Sequence, residues 1–545
     1  MKVCLLYPDK EWAKDDRYYD TTSIIQDLGL KSLFLAAAKK PVYENGKVVK
    51  VEKEDAFLQD TIRNVMMIPL TSAEEIRFRQ DIIKDGIEHE ELIRGLYELC
   101  GEVLKKWNEL GRGPREKSQQ SNPVTKLITD IRVIRLLCES LSEIKKMLNG
   151  QEKELSSKGL IFFRNGLFEA FSDEREEFMK RRLDDIAFYT ERIDEEDARR
   201  VEVIRPRIVL ECGLEDGLKF SSMKLEDISS QNRKFYKPGS TRQKIQEFIN
   251  SRVPDSFSTL QDPRIKDQAN LLEFTIVSYL VQDLKELTEE FQSFFDTLRF
   301  QTAFYLAAVQ LTQQMERFRI EWCFPTVCDR RDLEFTELKE FVMGLEQRTR
   351  LIGNTCSFKQ KDLLIVTGAN QGGKSTFLRS IGIAQVMMQS GLMVTARSYS
   401  SGIFPRIFVH FTRREDSAMN SGRLDEELNR MNKIVEQIGD GSLLLLNESF
   451  ATTTEKEGSV IAYDIIRALN EAGVRILTVT HLLSFARRIH EEMQNDPDSG
   501  VEFLSAERKE DGTRTYRMIR HEPELTSFGL DLYEEIVEKK YGQRP

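Results

Sequence analysis

The spacing of apolar residues predicts helices over most of the chain up to about residue 322. Leucine and phenylalanine recur at intervals of 4, 3, 4, 3 and 4 residues from Leu280 to Leu298, which places them along one stripe of a long helix. The stripe suits either a buried core helix or one of two long helical arms, whose antiparallel partner would be the charged segment from Asp173 to Arg200. Thr71 and Glu74 have capping-box spacing and predict the start of another helix.

Two regions depart from the helical pattern. Arg207–Leu210 and Leu218–Met223 flank a glycine-containing turn, which predicts two short strands. Beyond about residue 332, short apolar runs alternate with helical segments, as expected for a largely buried sheet covered by helices. The runs predicted as strands are Leu363–Thr367, Leu443–Leu446 and Val474–Thr480.

Composition and charge limit the classes of protein to which the chain can belong. It has 545 residues, a formal net charge of −10 and a pI near 5.5, which disfavours a nucleic-acid coat protein but allows a local basic patch. No apolar stretch reaches the roughly 18 residues needed to span a bilayer, and the N-terminus does not resemble a signal peptide. The seven scattered cysteines contain no CxxC pair for a zinc site. We therefore expect a cytoplasmic protein without a membrane partner.

The segment from residue 233 to residue 244 is the clearest local basic patch. Two aromatic residues accompany its five positive charges, and it contains no acidic residue. Such a segment can bind phosphates and stack on bases, or it can be an ordinary solvated loop. The candidate DNA-binding residues are Arg233, Lys234, Lys237, Arg242 and Lys244.

A glycine-rich run between a predicted strand and a predicted helix carries the strongest chemical signal. Gly368, Gly373, Lys374 and Ser375 match the P-loop pattern GxxxxGK[ST]. Glycines let backbone N–H groups face phosphate oxygens, and the following helix adds the positive end of its dipole. Lys374 is expected to reach the β and γ phosphates, and the Ser375 hydroxyl to bind Mg²⁺.

Polar residues at the ends of two later strands complete the predicted site. The apolar run that begins at Leu443 leads into Asn447 and Glu448, where Glu448 is placed to orient or deprotonate the attacking water. Asn447 can bind Mg²⁺ through a water but carries no negative charge, so the site either hydrolyses ATP slowly or binds it with little turnover. His481 ends the third strand and is a candidate sensor of the γ-phosphate.

These motifs, in this order, resemble those of the MutS family of DNA mismatch-repair ATPases. The run GANQGGKSTFLRS is similar to the family's phosphate-binding loop and includes Asn370. The segments FTRRED (411–416), NESFATTTEKEGS (447–459) and TSFGLDLYEEI (526–536) resemble its later motifs, as does the pair Thr480 and His481. Upstream, QDLGLKSLF from Gln26 and PLTSAEEIRFRQ (69–80) are similar to its helical core.

The resemblance implies a dimer, either homodimeric or formed with a related subunit, whose ATPase domains complete each other's sites and whose arms close around DNA. It also implies that Asn354 contacts the nucleotide. The residues expected to bind ATP are Asn354, Gly368, Ala369, Asn370, Gln371, Gly372, Gly373, Lys374, Ser375 and Thr376. Glu448, His481 and Lys374 are expected to act in catalysis, with Ser375 and, through water, Asn447 at Mg²⁺.

The chain also departs from the family pattern. The resemblance starts at the helical core, so we expect neither the N-terminal mismatch-recognition domain nor a C-terminal Smr nuclease domain. Leu424 or Asp425 stands where the family has its trans-acting signature serine. With Asn447, this departure favours reduced turnover of ATP.

The predicted fold is an α/β P-loop ATPase domain of the ABC type at the C-terminus, preceded by a mainly helical core and lever region with a small β-containing clamp. The expected segments are a helical core and first lever arm (1–200), a clamp-like insertion (201–265), a returning lever helix and core (266–330), and the ATPase domain with C-terminal dimerisation helices (331–545). The predicted function is a MutS-like, ATP-gated dimeric clamp on structured or damaged DNA. The alternatives are a nucleotide-binding switch with little hydrolysis and, with less support, the ATPase subunit of a transporter, which would leave the helical region unexplained.

Overall fold

The computed structural model divides the chain into two compact units. The helical unit comprises Glu98–Gln151 and Arg164–Arg299, and the sheet unit comprises Lys2–Tyr97, Glu152–Phe163 and Phe300–Pro545. The residues that the structure describes are 2–9, 21–39, 41–44, 47–51, 54–111, 123–150, 155–187, 207–215, 219–229, 263–347, 351–369, 371–412, 422–494, 500–509 and 513–523.

Helices dominate the first part of the described chain and alternate with strands in the last part. In chain order they are α1 (Thr22–Asp27), α2 (Leu30–Ala37), α3 (Ala56–Met66), α4 (Ala73–Glu88), α5 (Glu90–Gly111), α6 (Pro123–Asn149), α7 (Lys158–Ala170), α8 (Asp173–Ala187), α9 (Pro263–Arg317), α10 (Phe341–Gln347), α11 (Lys374–Met388), α12 (Arg423–Val435), α13 (Glu455–Glu471) and α14 (Leu483–Gln494). The long helix predicted from the apolar stripe is confirmed as part of α9, and Phe294 and Leu298 of that stripe are buried.

The strands fall into two hairpins and two larger sheets. In chain order they are β1 (Pro41–Glu44), β2 (Lys47–Val51), β3 (Arg207–Glu215), β4 (Lys219–Ser229), β5 (Thr326–Val327), β6 (Leu333–Leu338), β7 (Asn354–Phe358), β8 (Leu363–Thr367), β9 (Ser398–Ser401), β10 (Ile407–Phe411), β11 (Leu443–Asn447), β12 (Arg475–Val479), β13 (Val501–Arg508) and β14 (Arg514–Arg520). Antiparallel β3 and β4 confirm the two strands predicted between the helical segments.

One prediction about a helix start is wrong by one residue. Helix α4 begins after Ser72, whose backbone is extended and whose hydroxyl accepts a hydrogen bond from the Glu74 N–H at 3.2 Å. Ser72 therefore caps the helix in place of the predicted Thr71. Serine and threonine are both good N-cap residues. The packing of the preceding chain decides which of the two adopts the extended backbone conformation of an N-cap.

Within the helical unit, Lys145 joins α6 to the start of α8. Its largely buried ammonium donates a hydrogen bond to Asp173 at 2.6 Å, and Ser142 donates one to Glu176 at 2.6 Å. Burial acts to raise the pKa of Glu176, but hydrogen bonds, that from Lys180 foremost, lower it to about 2. Charged and polar groups therefore hold α8 against α6. The acidic residues in the first turn of α8 also interact favourably with the positive end of its helix dipole.

A mostly parallel sheet forms the centre of the sheet unit. Within the described residues this sheet has six strands in the order β10-β11-β12-β8-β13-β14, of which β14 pairs antiparallel with β13. A second sheet has the order β5-β9-β6-β7. Strands β8, β10 and β12 are buried along their whole length, which agrees with their continuous apolar sequences. The strands predicted at residues 363–367, 443–446 and 474–480 are confirmed as β8, β11 and β12.

The direction of the strands explains where polar side chains collect. Parallel β8, β11 and β12 end at the same edge of the sheet, so the residues that follow them come close together. The residues at this edge are those of the glycine-rich loop (368–373), Glu448 and His481.

Candidate nucleotide site

The glycine-rich loop links β8 directly to α11. Gly368 and Gly373 have φ values of 105° and 90°, in the region that side chains with a Cβ disfavour. A Cβ at Gly368 would lie 2.7 Å from the Ser505 hydroxyl, and one at Gly372 would lie 2.7 Å from the Cβ of Ala506. Strand β13 therefore packs so closely on the loop that glycine is required here.

Lys374 is the first residue of α11 and points back over the loop. Its side chain is buried, and its ammonium donates hydrogen bonds to the carbonyls of Gly368 at 2.7 Å and Ala369 at 2.9 Å. Ser375 and Thr376 follow in the first turn of α11 and line the same cleft. A cation, two hydroxyls and the N-terminal end of a 15-residue helix thus meet at one place, which suits an anion of high charge density.

Glu448 and His481 form a hydrogen-bonded pair above the sheet edge. The Nε2 atom of His481 lies 3.0 Å from Oε1 of Glu448. The backbone of Glu448 has a φ of 55° and is held by a hydrogen bond from its N–H to Val479 and by one from the Thr412 hydroxyl to its carbonyl at 2.6 Å. The hydrogen bond with His481, and the charges of His481 and Lys374, lower the pKa of Glu448 against the opposing effect of burial. A carboxylate held ionised at this position can accept a hydrogen bond from a water and so orient it, although the lowered pKa makes it a weaker base.

Asn447 ends β11 with a side-chain oxygen that has no hydrogen-bond partner among the described residues, although that oxygen is buried. A buried acceptor of this kind is costly unless a donor reaches it. A water bound to Mg²⁺ supplies such a donor, so the residues present fit a magnesium ion near Ser375 and Asn447. The described residues contain no cluster of three His, Cys, Asp or Glu side chains that would hold a metal by itself.

A cleft of about 480 Å³ runs from the loop to the second sheet. Its lining residues are Leu338, Glu340, Met343, Ile352, Asn354, Gln371, Gly372, Gly373, Lys374, Ser375, Thr376, Phe377, Ser380, Glu448 and Tyr516. The structure therefore brings predicted residues of the loop, Asn354 and Glu448 to one cavity. Asn354 also joins the two sheets, since its side chain accepts from Met518 N–H at 2.8 Å and donates to the Tyr516 carbonyl at 3.4 Å.

Several lining residues were not identified from the sequence. Tyr516 is 46% exposed, has a φ of 60°, and lies with its ring 3.5 Å from the position of a Cβ on Gly373. Ile352 is also exposed, and Glu340 is buried. These residues come from the ends of β6 and β7, the start of α10 and from β14, which carry no recognised motif, so no sequence signal pointed to them.

Other predicted residues lie outside the described part of the chain. Among them are Asn370 of the loop and the segment 413–421, which precedes α12. The five candidate DNA-binding residues, Arg233, Lys234, Lys237, Arg242 and Lys244, and the segment 526–536 also lie outside it. Their roles stay predictions. In the part of the chain that is described, no helix combines the length and the apolar character needed to cross a membrane.

Comparison with protein-family models gives two matches that together span most of the chain. Residues 71–318 match the MutS2 N-terminal domain, and residues 364–537 match MutS domain V. The second match begins in β8 and contains the glycine-rich loop, Glu448 and His481.

Individual curated relatives match over shorter stretches. The chain is 33% identical over 147 residues to an endonuclease MutS2 of Latilactobacillus sakei, which is 27% of this chain and 19% of the relative. It is 30% identical over 187 residues to an endonuclease MutS2 of Carboxydothermus hydrogenoformans, 33% of this chain and 23% of the relative. It is 34% identical over 165 residues to a DNA mismatch repair protein MutS of Synechococcus sp., 29% of this chain and 18% of the relative. In these matches the chain covers about a fifth of the length of each relative.

Proposed function

Because the chain belongs to the MutS family, we propose that it is a DNA-binding ATPase that binds ATP with Mg²⁺ in the cleft over the glycine-rich loop. The observation that carries this proposal is the convergence of Lys374, Glu448 and His481 at one edge of the parallel sheet. In this proposal, the C-terminal domain of the chain is a P-loop ATPase domain of the ABC type.

In this proposal each part of the cleft has a separate task. The backbone N–H groups of residues 369–376 bind the phosphates, and Lys374 turns from the loop carbonyls to the β and γ phosphates. Magnesium, held by the Ser375 hydroxyl and through water by Asn447, neutralises phosphate charge when it is bound. At the other side of the loop, the exposed ring of Tyr516 is available to stack on the base.

Hydrolysis to ADP and phosphate would depend on Glu448. Its carboxylate accepts the proton of the attacking water, while the hydrogen bond to His481 keeps it ionised and fixes its direction. We also propose that His481 senses the γ-phosphate by donating a hydrogen bond toward it.

ATP binding is proposed to close a dimer around structured or damaged DNA, and hydrolysis to reopen it. The partner would be a second copy or a related subunit, and the basic segment 233–244 would bind DNA phosphates. The names of the relatives, which include a mismatch repair protein and endonucleases, support DNA as the partner.

One experiment tests the coupling between the two activities. ATPase rate and DNA affinity are measured on perfect duplex, mismatched duplex, fork, four-way junction and single strand at one stated salt concentration, because phosphate-driven affinity depends on salt. We expect at least one DNA to raise the ATPase rate. We also expect Lys374→Ala to weaken ATP binding and, with it, the effect of ATP on DNA binding. An exposed lysine on α13, replaced in Lys456→Ala, is the matched control. If Lys374→Ala leaves the nucleotide response of DNA binding intact, the proposed coupling is wrong.

Asn447 favours a second function, a nucleotide-binding switch with little hydrolysis. Its neutral side chain brings no charge to Mg²⁺, and Leu424 or Asp425 replaces the signature serine of the family. If wild type and Glu448→Ala hydrolyse ATP at the same background rate while ATP still alters DNA binding, the switch is the correct function.

A further inference from the structure

Glu340 is a buried carboxylate that lies between β6 and α10 and lines the cleft. Its side chain is only 3% exposed. It caps helix α10, because one carboxylate oxygen, Oε2, accepts a hydrogen bond from the N–H of Met343. The other oxygen, Oε1, is buried and has no hydrogen-bond partner among the described residues, although the residue lines the cleft.

The surroundings of Glu340 indicate which part of a nucleotide it would meet. Three apolar side chains line the cleft from segments next to Glu340 in the chain: Leu338 at the end of β6, Met343 of α10 and Ile352 before β7. Lys374 and the hydroxyls of Ser375 and Thr376 line it from the start of α11. A negatively charged phosphate is repelled by a carboxylate, and a ribose would leave several hydroxyls without partners on an apolar wall. A flat heteroaromatic base with one hydrogen-bond donor fits both the apolar wall and the single acceptor.

We propose that Oε1 of Glu340 accepts a hydrogen bond from the exocyclic amino group of the base and thereby selects adenine nucleotides. This inference rests on the proposed nucleotide site. Because Oε2 is already engaged with Met343, Glu340 offers one acceptor, which matches the single amino group of adenine. Guanine presents two adjacent N–H donors and would leave one of them unpaired.

The electrostatics of the carboxylate agree with this assignment. Burial raises the pKa of Glu340, although the hydrogen bond from Met343 and the nearby charge of Arg379 act in the opposite direction. An ionised carboxylate at this position is therefore poorly compensated by the protein alone. A donor from the ligand would supply the missing interaction.

The test compares three triphosphates that differ at C6 of the base, and inosine also carries a hydrogen at N1. ATP carries an amino group at C6, purine riboside triphosphate a hydrogen, and inosine triphosphate an oxo group. Their affinities are measured by calorimetry on wild type, Glu340→Leu and Glu340→Gln. The control is Glu334→Gln, which changes an exposed glutamate of β6 outside the cleft lining. Thermal unfolding of each variant shows whether the loss of the helix cap has affected folding.

Wild type is expected to bind ATP about tenfold or more tightly than either analogue, because neither analogue has the amino group that donates to the buried Oε1 of Glu340. Glu340→Leu should lower the affinity for ATP by a similar factor and leave that for purine riboside triphosphate unchanged. In Glu340→Gln the amide oxygen can still accept from Met343, so the NH₂ group faces the cleft and the preference should shift toward inosine triphosphate. The control should match wild type.

Other outcomes overturn the inference in distinguishable ways. If wild type binds all three triphosphates equally, or if the Glu340 variants weaken all three by the same factor, Glu340 does not read the base and the nucleotide site stands. If wild type binds none of them, the proposed function fails together with the inference. Should both variants fail to fold, equal affinity of wild type for the three triphosphates would still overturn the inference.

Discussion

Nε2 of His481 lies 3.0 Å from Oε1 of Glu448, although the two residues are 33 positions apart in the sequence. The pair forms because parallel strands β11 and β12 are neighbours and end at the same edge of the sheet. Since that edge also contains the start of α11, the pair stands beside Lys374, whose charge contributes to the lowered pKa of Glu448. The proposed chemistry depends on this arrangement.

Replacing the proposed base tests the hydrolytic step alone. Glu448→Gln keeps the size and polarity of the side chain but removes its ability to accept a proton. We expect kcat to fall by roughly 10² to 10⁴, the usual contribution of a general base, with ATP affinity changed only a few-fold. Phosphate release and equilibrium ATP binding measure the two quantities separately. An unchanged kcat would show that another group activates the water.

The hydrogen bond from His481 gives hydrolysis a predictable pH dependence. Glu448 acts only when it is ionised, so activity is lost as pH falls through its pKa, and the lowered pKa places that loss below the ordinary range of a glutamate. His481→Asn removes the largest cause of the lowering, so the acid limb of the kcat profile should move to higher pH. A limb at the same pH in both proteins would contradict the assignment of Glu448.

A carboxylate in place of Asn447 should strengthen the use of magnesium. Asn447→Asp adds a negative charge at the end of β11, where Mg²⁺ is proposed to bind through water. Hydrogen bonds to charged groups are stronger than neutral ones by about 1 kcal/mol or more. The Mg²⁺ concentration for half-maximal ATPase activity should fall about tenfold. Asn470→Asp, on α13 in the sheet unit, provides a control that adds the same charge away from the cleft. An Mg²⁺ requirement that does not change would place the metal elsewhere.

A buried acid on α12 is expected to position Glu448 through a threonine. Glu427 is 5% exposed, and one of its carboxylate oxygens lies 3.0 Å from the hydroxyl oxygen of Thr412. That hydroxyl has one hydrogen to donate, which reaches either Glu427 or, at the shorter distance of 2.6 Å, the carbonyl of Glu448. Thr452 donates to the second oxygen of Glu427 at 2.6 Å. Glu427→Ala should lower kcat by about 10- to 100-fold, because a small displacement of a catalytic group is enough for such a loss.

The matched control for Glu427→Ala is the same change at the adjacent Glu426, which should retain wild-type kcat. A purely structural role of Glu427 would lower ATP affinity and thermal stability together with kcat. Retention of ATP affinity with loss of kcat therefore distinguishes positioning from general destabilisation.

The basic segment provides a test of DNA contact that depends on salt. If Arg233 and Lys234 bind phosphates, replacing both by alanine should weaken DNA binding across all sequences. It should also reduce the slope of log affinity against log salt by about 0.9 for each lost contact on duplex DNA. Binding is measured between low and physiological salt, with Lys456→Ala as the control. A slope equal to that of wild type would exclude these two residues from the DNA interface.

Strong local patterns in the sequence predicted three of the six described strands of the central sheet. The continuous apolar sequences of β8, β11 and β12 are stable in water only if both faces of the sheet are buried. The polar residues that follow each run indicate approximately where the strand ends. The order of motifs also predicted that Glu448 and His481 would belong to one site, but not that they would be hydrogen-bonded to each other. The antiparallel β3 and β4 were likewise visible as two short runs around a glycine-containing turn.

Features that depend on packing between distant segments were not predictable in this way. Tyr516 reaches the cleft because β14 is joined to β7 by Asn354, a contact that spans more than 160 residues. Tyr516 also has a φ of 60°. A glycine in the sequence suggests a positive φ, but a tyrosine does not, so this conformation could not be predicted. In the sequence, nothing distinguishes Glu340 from an exposed glutamate. Only the structure shows that it is buried and that it lines the cleft.

The central claim is that the loop at residues 368–375 binds a magnesium–triphosphate, and direct calorimetric titration tests it. ATP with Mg²⁺ is titrated into wild type, Lys374→Ala and the surface control Lys456→Ala, and each variant is checked for folding by its thermal unfolding. We predict saturable binding with one ATP per chain for wild type and the control, and a loss of affinity of about tenfold or more for folded Lys374→Ala, whose ammonium would no longer reach the phosphates. Absence of binding to wild type, or equal affinity of wild type and Lys374→Ala, would contradict the account.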